Sequence, residues 1–318
     1  MIAVRLIAGR LVFALFTLVL VSALIFVAIE IIPGDVASRI LGRDATPALL
    51  ATVRERMHLD VPPVERYFDW LGNIVFHADF GQSLTSNQPV GQIIGPKVLA
   101  TLKLAAFAFL LYLPLALIPA SIQALNKDRP IDHALSVINL VLLSIPDFLL
   151  GTILMILFVV TWQWFPAIAG LRGEPSLGQF LWATLLPALT LAIAMAVYAA
   201  RMLRDNLIEV LDSEYIRMAE LKGLSRLAVL LRHALPNSLI PTLNVTAINL
   251  ALIIGGVVII ERLYTYPGFG SLMIDSLQLQ DAPLVEATVL ISAAIYIGAN
   301  LLADIGAILL NPRLRRAR

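Results

Sequence analysis

The sequence predicts an all-α integral membrane protein with six transmembrane helices. Three observations carry that reading. Of 318 residues, 59% are hydrophobic and only 14% charged, and mean hydropathy is +0.87; soluble domains carry about a quarter charged residues. A helix needs about 20 apolar residues to cross a bilayer, and six stretches qualify: 11–32, 100–125, 136–162, 180–203, 239–261 and 286–310. The basic residues alternate between the gaps, which sets orientation through the excess of Lys and Arg on the inner side. Net charge is +1 and cysteine is absent. No bulk field favours nucleic acid, and disulfides, thiolate metal sites and cysteine nucleophiles are excluded.

Each element follows in order. Residues 1–10 form a cytoplasmic N-terminus carrying Arg5 and Arg10. The apolar run Leu11 to Ile29 is too long for a signal-peptide core, and "EIIPGD" offers no small-residue cleavage site, so the first span is read as uncleaved. A long external loop, 33–99, follows. Its "HLDVPPVERYFDWLGNIVFHADFGQSLTSNQPV" mixes aromatic residues with Gly and Pro and predicts a small ordered cap. Long loops translocate regardless of their charge, so its arginines do not oppose the topology. Lys127 and Arg129 mark the second loop as cytoplasmic. Pro114, Pro119 and Pro187 predict kinks in the second and fourth spans. Arg201, Arg204, Arg217, Lys222, Arg226 and Arg232 make the fourth gap basic, and residues 204–238 form its cytoplasmic loop. The third loop holds only Arg172 and the 262–285 external loop only Arg262. A basic tail, 311–318, returns to the cytoplasm.

The cytoplasmic loop between the fourth and fifth spans reads as a helical hairpin. Asp212 or Ser213 can cap a helix running to Lys222, with Glu214 in its first turn where acid suits the helix dipole. Gly223 falls where a left-handed residue ends a helix. Ser225 can cap a second helix from Arg226 to about Leu235, and Pro236 predicts a bend where it meets the fifth span. One reading is a solvated connector on lipid headgroups. The other is a docking element that projects Ala219, Leu221 and Leu224 around a tight turn for a partner to grip.

The motif "EYIRMAELKGLSRLAVLLRHALPNSLIPTL" resembles the coupling loop of ABC importer permeases. Its form is similar to the dipeptide/oligopeptide/nickel permease family, on Tyr215, Arg217, Ala219, Glu220, Leu221, Lys222, Gly223, Leu224 and Ser225. The Glu-Ala-Ala triplet that names the loop is absent; Arg217, Met218 and Ala219 hold its slots, as in the peptide subfamily. Further elements agree in order: "IPGDVA" (Ile32–Ala37), "FGQSLTSNQPV" (Phe80–Val90), "LSIPDFLLG" (Leu143–Gly151), "LPALTLA" (Leu186–Ala192), "TYPGFGSLM" (Thr265–Met273) and "NPRL" (Asn311–Leu314). The resemblance implies the first permease subunit type, with a transmembrane domain over 84–310. It further implies a heterodimer with a sister permease, two ATPase subunits that bind ATP and Mg, and an external solute-binding protein. The residues Tyr215 to Ser225 would then take thrust from the ATPases. The implied location is the inner or plasma membrane of a bacterium or archaeon.

Polar residues inside spans are costly and often functional. Asn139, Asp147, Asn244, Asn249, Asn300 and Asp304 are the candidates, with helix–helix hydrogen bonding as the alternative for the asparagines. Asp147, beside Pro146, and Asn244 are candidate pathway residues; Asp147 can also bond backbone groups freed at a kink. Tyr266, Pro267 and Gly268 form either a plain turn or, as the resemblance implies, an external gate contact.

No Gly-x-x-x-x-Gly-Lys-Ser/Thr occurs, so the chain is not expected to hydrolyse ATP; "GQIIGPK" (Gly91–Lys97) is a superficial echo. No catalytic constellation, metal site or cofactor site is expected, and the four His are scattered. A stand-alone secondary transporter is the alternative from another class, but paired broken helices and inverted repeats are not evident. Dipeptides, oligopeptides, glutathione, nickel chelates and opine- or sugar-like ligands all remain open as cargo.

Overall fold

The computed structural model describes residues 2–31, 46–56, 61–170, 173, 175–239, 242, 246 and 257–310. Helix α1, Ile2–Ile31, starts well before the expected position 11; it carries Arg5, Arg10 and Glu30 near its ends and is almost wholly apolar between them. Val12 and Phe13 keep 68% and 70% of their surface exposed. Such an apolar stretch left uncovered by its own chain belongs in lipid. Helices α2 (Pro47–Arg56) and α3 (Pro63–His77) give the first loop the order its composition predicts. Proline at the first position of α3 has no N–H to waste there.

Helix α4, Val90–Leu125, begins ten residues before the expected second span and runs unbroken through Pro114 and Pro119. Helices α5 (Pro130–Ser144) and α6 (Asp147–Met155, continued as a π-helix over Ile156–Thr161) occupy the expected third span. That span is broken, which corrects the single helix over 136–162: the two pieces meet at 103°. Pro146 explains the break, because it forces Ile145 into an extended conformation, φ −93° and ψ 122°. Helix α7, Leu177–Leu211, is opened by a reciprocal cap between Ser176 and Gln179. It is the most buried of the apolar helices. The helices α8 (Glu214–Leu221), α9 (Arg226–Val229), α10 (Phe269–Gln278) and α11 (Ala282–Leu310) complete the described elements.

Among the described residues, four helices are long and apolar enough to cross a membrane, and a fifth if the α5–α6 pair counts as one span. Most of the expected fifth span, 239–261, lies outside the described residues.

The chain divides into two compact units. One holds Val4–Ala100 and Gly268–Gly298. There, Tyr67 of α3 reaches the Ser22 hydroxyl at 2.8 Å and its ring stands edge-on to Phe26. Arg66 pairs with Glu30 at 2.7 Å. Asp281, fully buried, anchors the 83–85 turn: it accepts from the Ser83 and Thr85 hydroxyls at 2.6 and 2.8 Å and from two backbone N–H groups. A buried carboxylate needs such partners. Below the turn, Val90, Ile94, Phe269, Leu284 and Ala287 form an apolar cluster.

The other unit holds Thr101–Pro267 with the two chain ends. Its centre is α7, against which α5 and α6 pack. Gly151 of α6 permits that approach, since a Cβ there would meet Leu263 at 2.8 Å and Thr190 at 3.2 Å.

Candidate functional site

Two residues, Asp212 and Ser213, separate the end of α7 from the start of the hairpin. Ser213 stands at the N-cap of α8, but its hydroxyl donates back to the Val210 carbonyl, an acceptor left over at the end of α7. Asp212 pairs instead with Lys127 at 2.8 Å. Neither side chain caps α8, which corrects that expectation. The hydrogen bond to Asp212 raises the Lys127 ammonium above its usual range. Glu214 lies in the first turn as expected, 3.2 Å from Arg217.

The turn itself is closed by backbone. Gly223 sits at φ +82°. Its N–H donates to the Glu220 carbonyl at 2.9 Å, and the Leu224 N–H donates to the Ala219 carbonyl at 3.3 Å. These two bonds make a Schellman ending. A Cβ at Gly223 would meet nothing within 4 Å. The need for glycine is therefore conformational and not steric.

Ser225 caps α9 as expected, accepting from the Ala228 N–H at 3.3 Å. The second arm then winds as a π-helix over Leu230–Ala234. Pro236 follows at once, and its missing N–H and ring clash are absorbed by the wider turn instead of a break. Beyond it, Ser238, Thr242 and Thr246 each donate to the carbonyl four residues back. The same hydroxyls reach neighbouring helices: Ser238 the Asn206 carbonyl of α7 at 3.3 Å, Thr246 the Tyr112 hydroxyl of α4 at 2.6 Å.

The hairpin has two faces. Ile216 and Ala219 from α8, with Val229, Leu230 and Ala234, close over Ala120 and Ala124 of α4 and Ala200, Leu203 and Leu207 of α7. Tyr215, Met218, Leu221, Leu224 and Leu227 stand exposed on the other face, with Leu221 at 81%. Arg217, Glu220, Lys222 and Ser225 are exposed as well. Ala219 was expected at the projecting tip; it is turned inward, because residues 216 and 219 share the face that meets the spans. The Asn237 amide donates to the Tyr215 hydroxyl at 3.1 Å and joins the two arms.

Sequence reading missed the ion pair beside the hairpin. Arg204 donates to both oxygens of Asp132 at 2.7 and 2.6 Å, a bidentate pair across α7 and α5. Asp132 is fully buried, and the Asp128 N–H and the Gln123 amide add to it at 3.1 and 3.4 Å. The signal available was Asp132 in the first turn of a proline-started helix, but nothing local names its partner. Glu261 was missed too; it is buried and accepts from the Thr101 hydroxyl.

The segment at 264–268 is packed inward. Tyr264 donates to the Gly151 carbonyl at 3.0 Å and lies 3.1 Å from the Thr190 hydroxyl. Its carbonyl accepts from the Ala169 N–H at 3.0 Å. A Cβ on Gly170 would meet the Thr265 carbonyl at 3.2 Å and the Pro267 ring at 3.3 Å, so any larger residue would press the two stretches of chain apart by a few tenths of an ångström. Burial raises the phenols of Tyr264 and Tyr266 above their usual range. Of the gate candidates, Tyr266 and Gly268 are buried and Pro267 is exposed. Gly268 does not form a Pro-Gly turn; its φ is −91° and it opens α10. The left-handed residue is Thr265, φ 51°.

Asp147 is exposed in the first turn of α6 and makes no backbone bond at the break, which corrects its expected kink role. Asn139 lines a cleft with Arg201 and Arg204. Asn244 and Asn249 lie outside the described residues, as does the side chain of Asp304.

The described residues are helical, with several helices long enough to cross a membrane and a two-faced polar hairpin, the architecture of a multi-pass membrane protein. More specifically, the chain belongs to the family described as binding-protein-dependent transport system inner membrane component, whose model matches residues 112–316. The model for the N-terminal region of such membrane components matches residues 3–105. A protein of Brucella abortus (strain 2308) named as a peptide transport system permease is 35% identical over 310 residues, 98% of each chain. The glutathione transport system permease protein GsiC of Escherichia coli (strain K12) is 31% identical over 299 residues, covering 94% of this chain and 95% of its own. These are peptide-type ABC transport permeases, and the chain is an inner-membrane protein of that family.

Proposed function

We propose that this chain is one of two permease subunits of an ATP-driven importer, and that the 214–234 hairpin is its input from the ATPases. The two-faced build of the hairpin supports this most directly. One face is fastened to α4 and α7 by ten buried side chains. The opposite face leaves Tyr215, Met218 and Leu221 uncovered. A lever needs both. The proposed arrangement has six spans, both termini and the hairpin cytoplasmic, the 33–99 loop outside, and a sister permease completing the pathway. ATP and Mg are bound by separate ATPase subunits, and this chain carries no cofactor. An external binding protein delivers the cargo near Pro267. Asp147 and Asn244 stay as pathway candidates.

For the cargo we propose a short peptide, since relatives are named for peptide and for glutathione transport. Nickel chelates and opine- or sugar-like ligands have no comparable support. The stand-alone transporter reading gives way to family membership.

The test is Gly223→Val in the assembled transporter. A β-branched residue at positive φ is strained by about 1–2 kcal/mol, enough to open the turn. Uptake should be lost while the subunits still assemble and ATP is still hydrolysed. Gly223→Asn, which tolerates the left-handed region, should keep uptake. Wild-type transport by assembled Gly223→Val would refute the lever.

A further inference from the structure

Beside the hairpin, α4, α5 and α7 leave a cleft of about 280 Å³. Its lining is mixed in a regular way. Gln123, Ser136, Arg204 and Asp205 hold one end, and Leu143 and Val197 the other. The gradient runs the same way on both main helices. Ser136 lies six residues into α5 and Leu143 thirteen, or ~9 and ~20 Å at 1.5 Å per residue. Arg204 lies seven residues from the end of α7 and Val197 fourteen, or ~10 and ~21 Å. The apolar wall is open to the surroundings, with Leu140 and Leu143 exposed at 58% and 46%.

The charge in the cleft is uneven. Arg204 is engaged by Asp132 and Asp205. Arg201, exposed and on the same wall, has no carboxylate partner among the described residues. With Asp132 counted, two guanidinium groups stand beside two carboxylates, both of which are engaged by Arg204, so Arg201 is the lining cation outside an ion pair among the described residues. Gln123 is 1% exposed, and its carbonyl oxygen finds no donor among the described residues. Its amide nitrogen is spent on Ser136 and Asp132. A fitting occupant therefore carries a negative group for Arg201 and an apolar chain leading away along Leu140, Leu143 and Val197.

We propose that this cleft binds an anionic phospholipid, with its phosphate at Arg201 and the start of an acyl chain along the leucine wall. A basic pocket between membrane helices is suited to such a headgroup. A free phosphate would satisfy the arginine and leave the leucines without a role. The site ties lipid to the α5–α7 junction, one helical segment away from the hairpin. The assignment to the inner leaflet rests on the orientation proposed above; the binding itself does not.

The experiment is native mass spectrometry of the full-length chain in mild detergent, titrated with phosphatidylglycerol or phosphatidylcholine. The wild type should prefer the first phosphatidylglycerol, and Arg201→Gln should weaken that binding about fivefold, as one surface cation warrants. Arg201→Lys should restore most of it. Arg201 is exposed, so an unchanged melting curve in lipid-free detergent will show that the variant folds. Equal affinity for the two lipids, or a preference that survives Arg201→Gln, would overturn the proposal. Displacement of the lipid by millimolar glycerol 3-phosphate would also overturn it and assign the site to a soluble phosphate. No ATPase or transport enters the assay, so failure of the importer reading would leave its outcome untouched.

Discussion

Two short connectors in the same unit are built on opposite plans. The hairpin at 214–234 keeps one apolar face open: Leu221, Met218 and Leu227 lie uncovered. The segment at 264–267 hides its large side chains, with Tyr264 and Tyr266 nearly fully buried. Glycine serves each differently. Gly223 has open space around it and is needed for its φ of +82°, whereas Gly170 is crowded by Thr265 and Pro267. Polar, solvent-facing connectors are ordinary; a connector that exposes leucines has the surface that the proposed partner contact needs. One connector presents a surface, and the other locks three elements together.

Three substitutions can break or sharpen that contrast. Leu221→Asp should have the largest effect on function. An exposed residue contributes within about 0.5 kcal/mol to folding, so the protein should stay folded. Loss of an interface anchor costs about 2 kcal/mol, and binding of the ATPase subunits should weaken roughly 30-fold. A co-purification titration measures it, and unchanged ATPase binding would show that this face is not the contact.

Gly170→Val should act through folding. Overpacking against a backbone carbonyl and a proline ring costs roughly 1–3 kcal/mol, read as earlier thermal unfolding in detergent. An unchanged melting point would mean that the 264–267 segment is looser than its contacts indicate. Tyr264→Phe should have the smallest effect, about 1 kcal/mol, the net worth of one buried hydrogen bond. It should leave ATPase binding at wild-type strength. A loss of ATPase binding in Tyr264→Phe would erase the distinction between the two connectors.

The hairpin was legible because its signals are local. Gly223 after Lys222, and Ser225 three residues before the Ala228 N–H, need no knowledge of the rest of the chain. Which hairpin face turns inward was not legible, because Ala219 and Leu221 are both apolar and only the position of α7 decides between them. The Asp132–Arg204 pair joins residues 72 apart, and Ser83–Asp281 joins residues 198 apart; no periodicity encodes such partners. Helix ends were misjudged for a related reason. Apolar runs mark the membrane-facing part, but α4 continues outward through "VGQIIGPKVL" where Gly and Pro read as loop. The break at Pro146 was visible as a proline and hidden as an angle, since Pro114 and Pro119 produce no break in α4.

The backbone bonds at Gly223 carry a consequence for adaptation. Because main-chain groups alone close the turn, Glu220, Lys222 and Leu224 are excused from holding its shape. In the importer proposed above, they are free to change with the ATPase partner, provided that residue 223 still takes the left-handed conformation. On that proposal the same separation suits re-engineering: docking preference would be rewritten at solvent-facing positions as one changes the teeth of a key while keeping its blank.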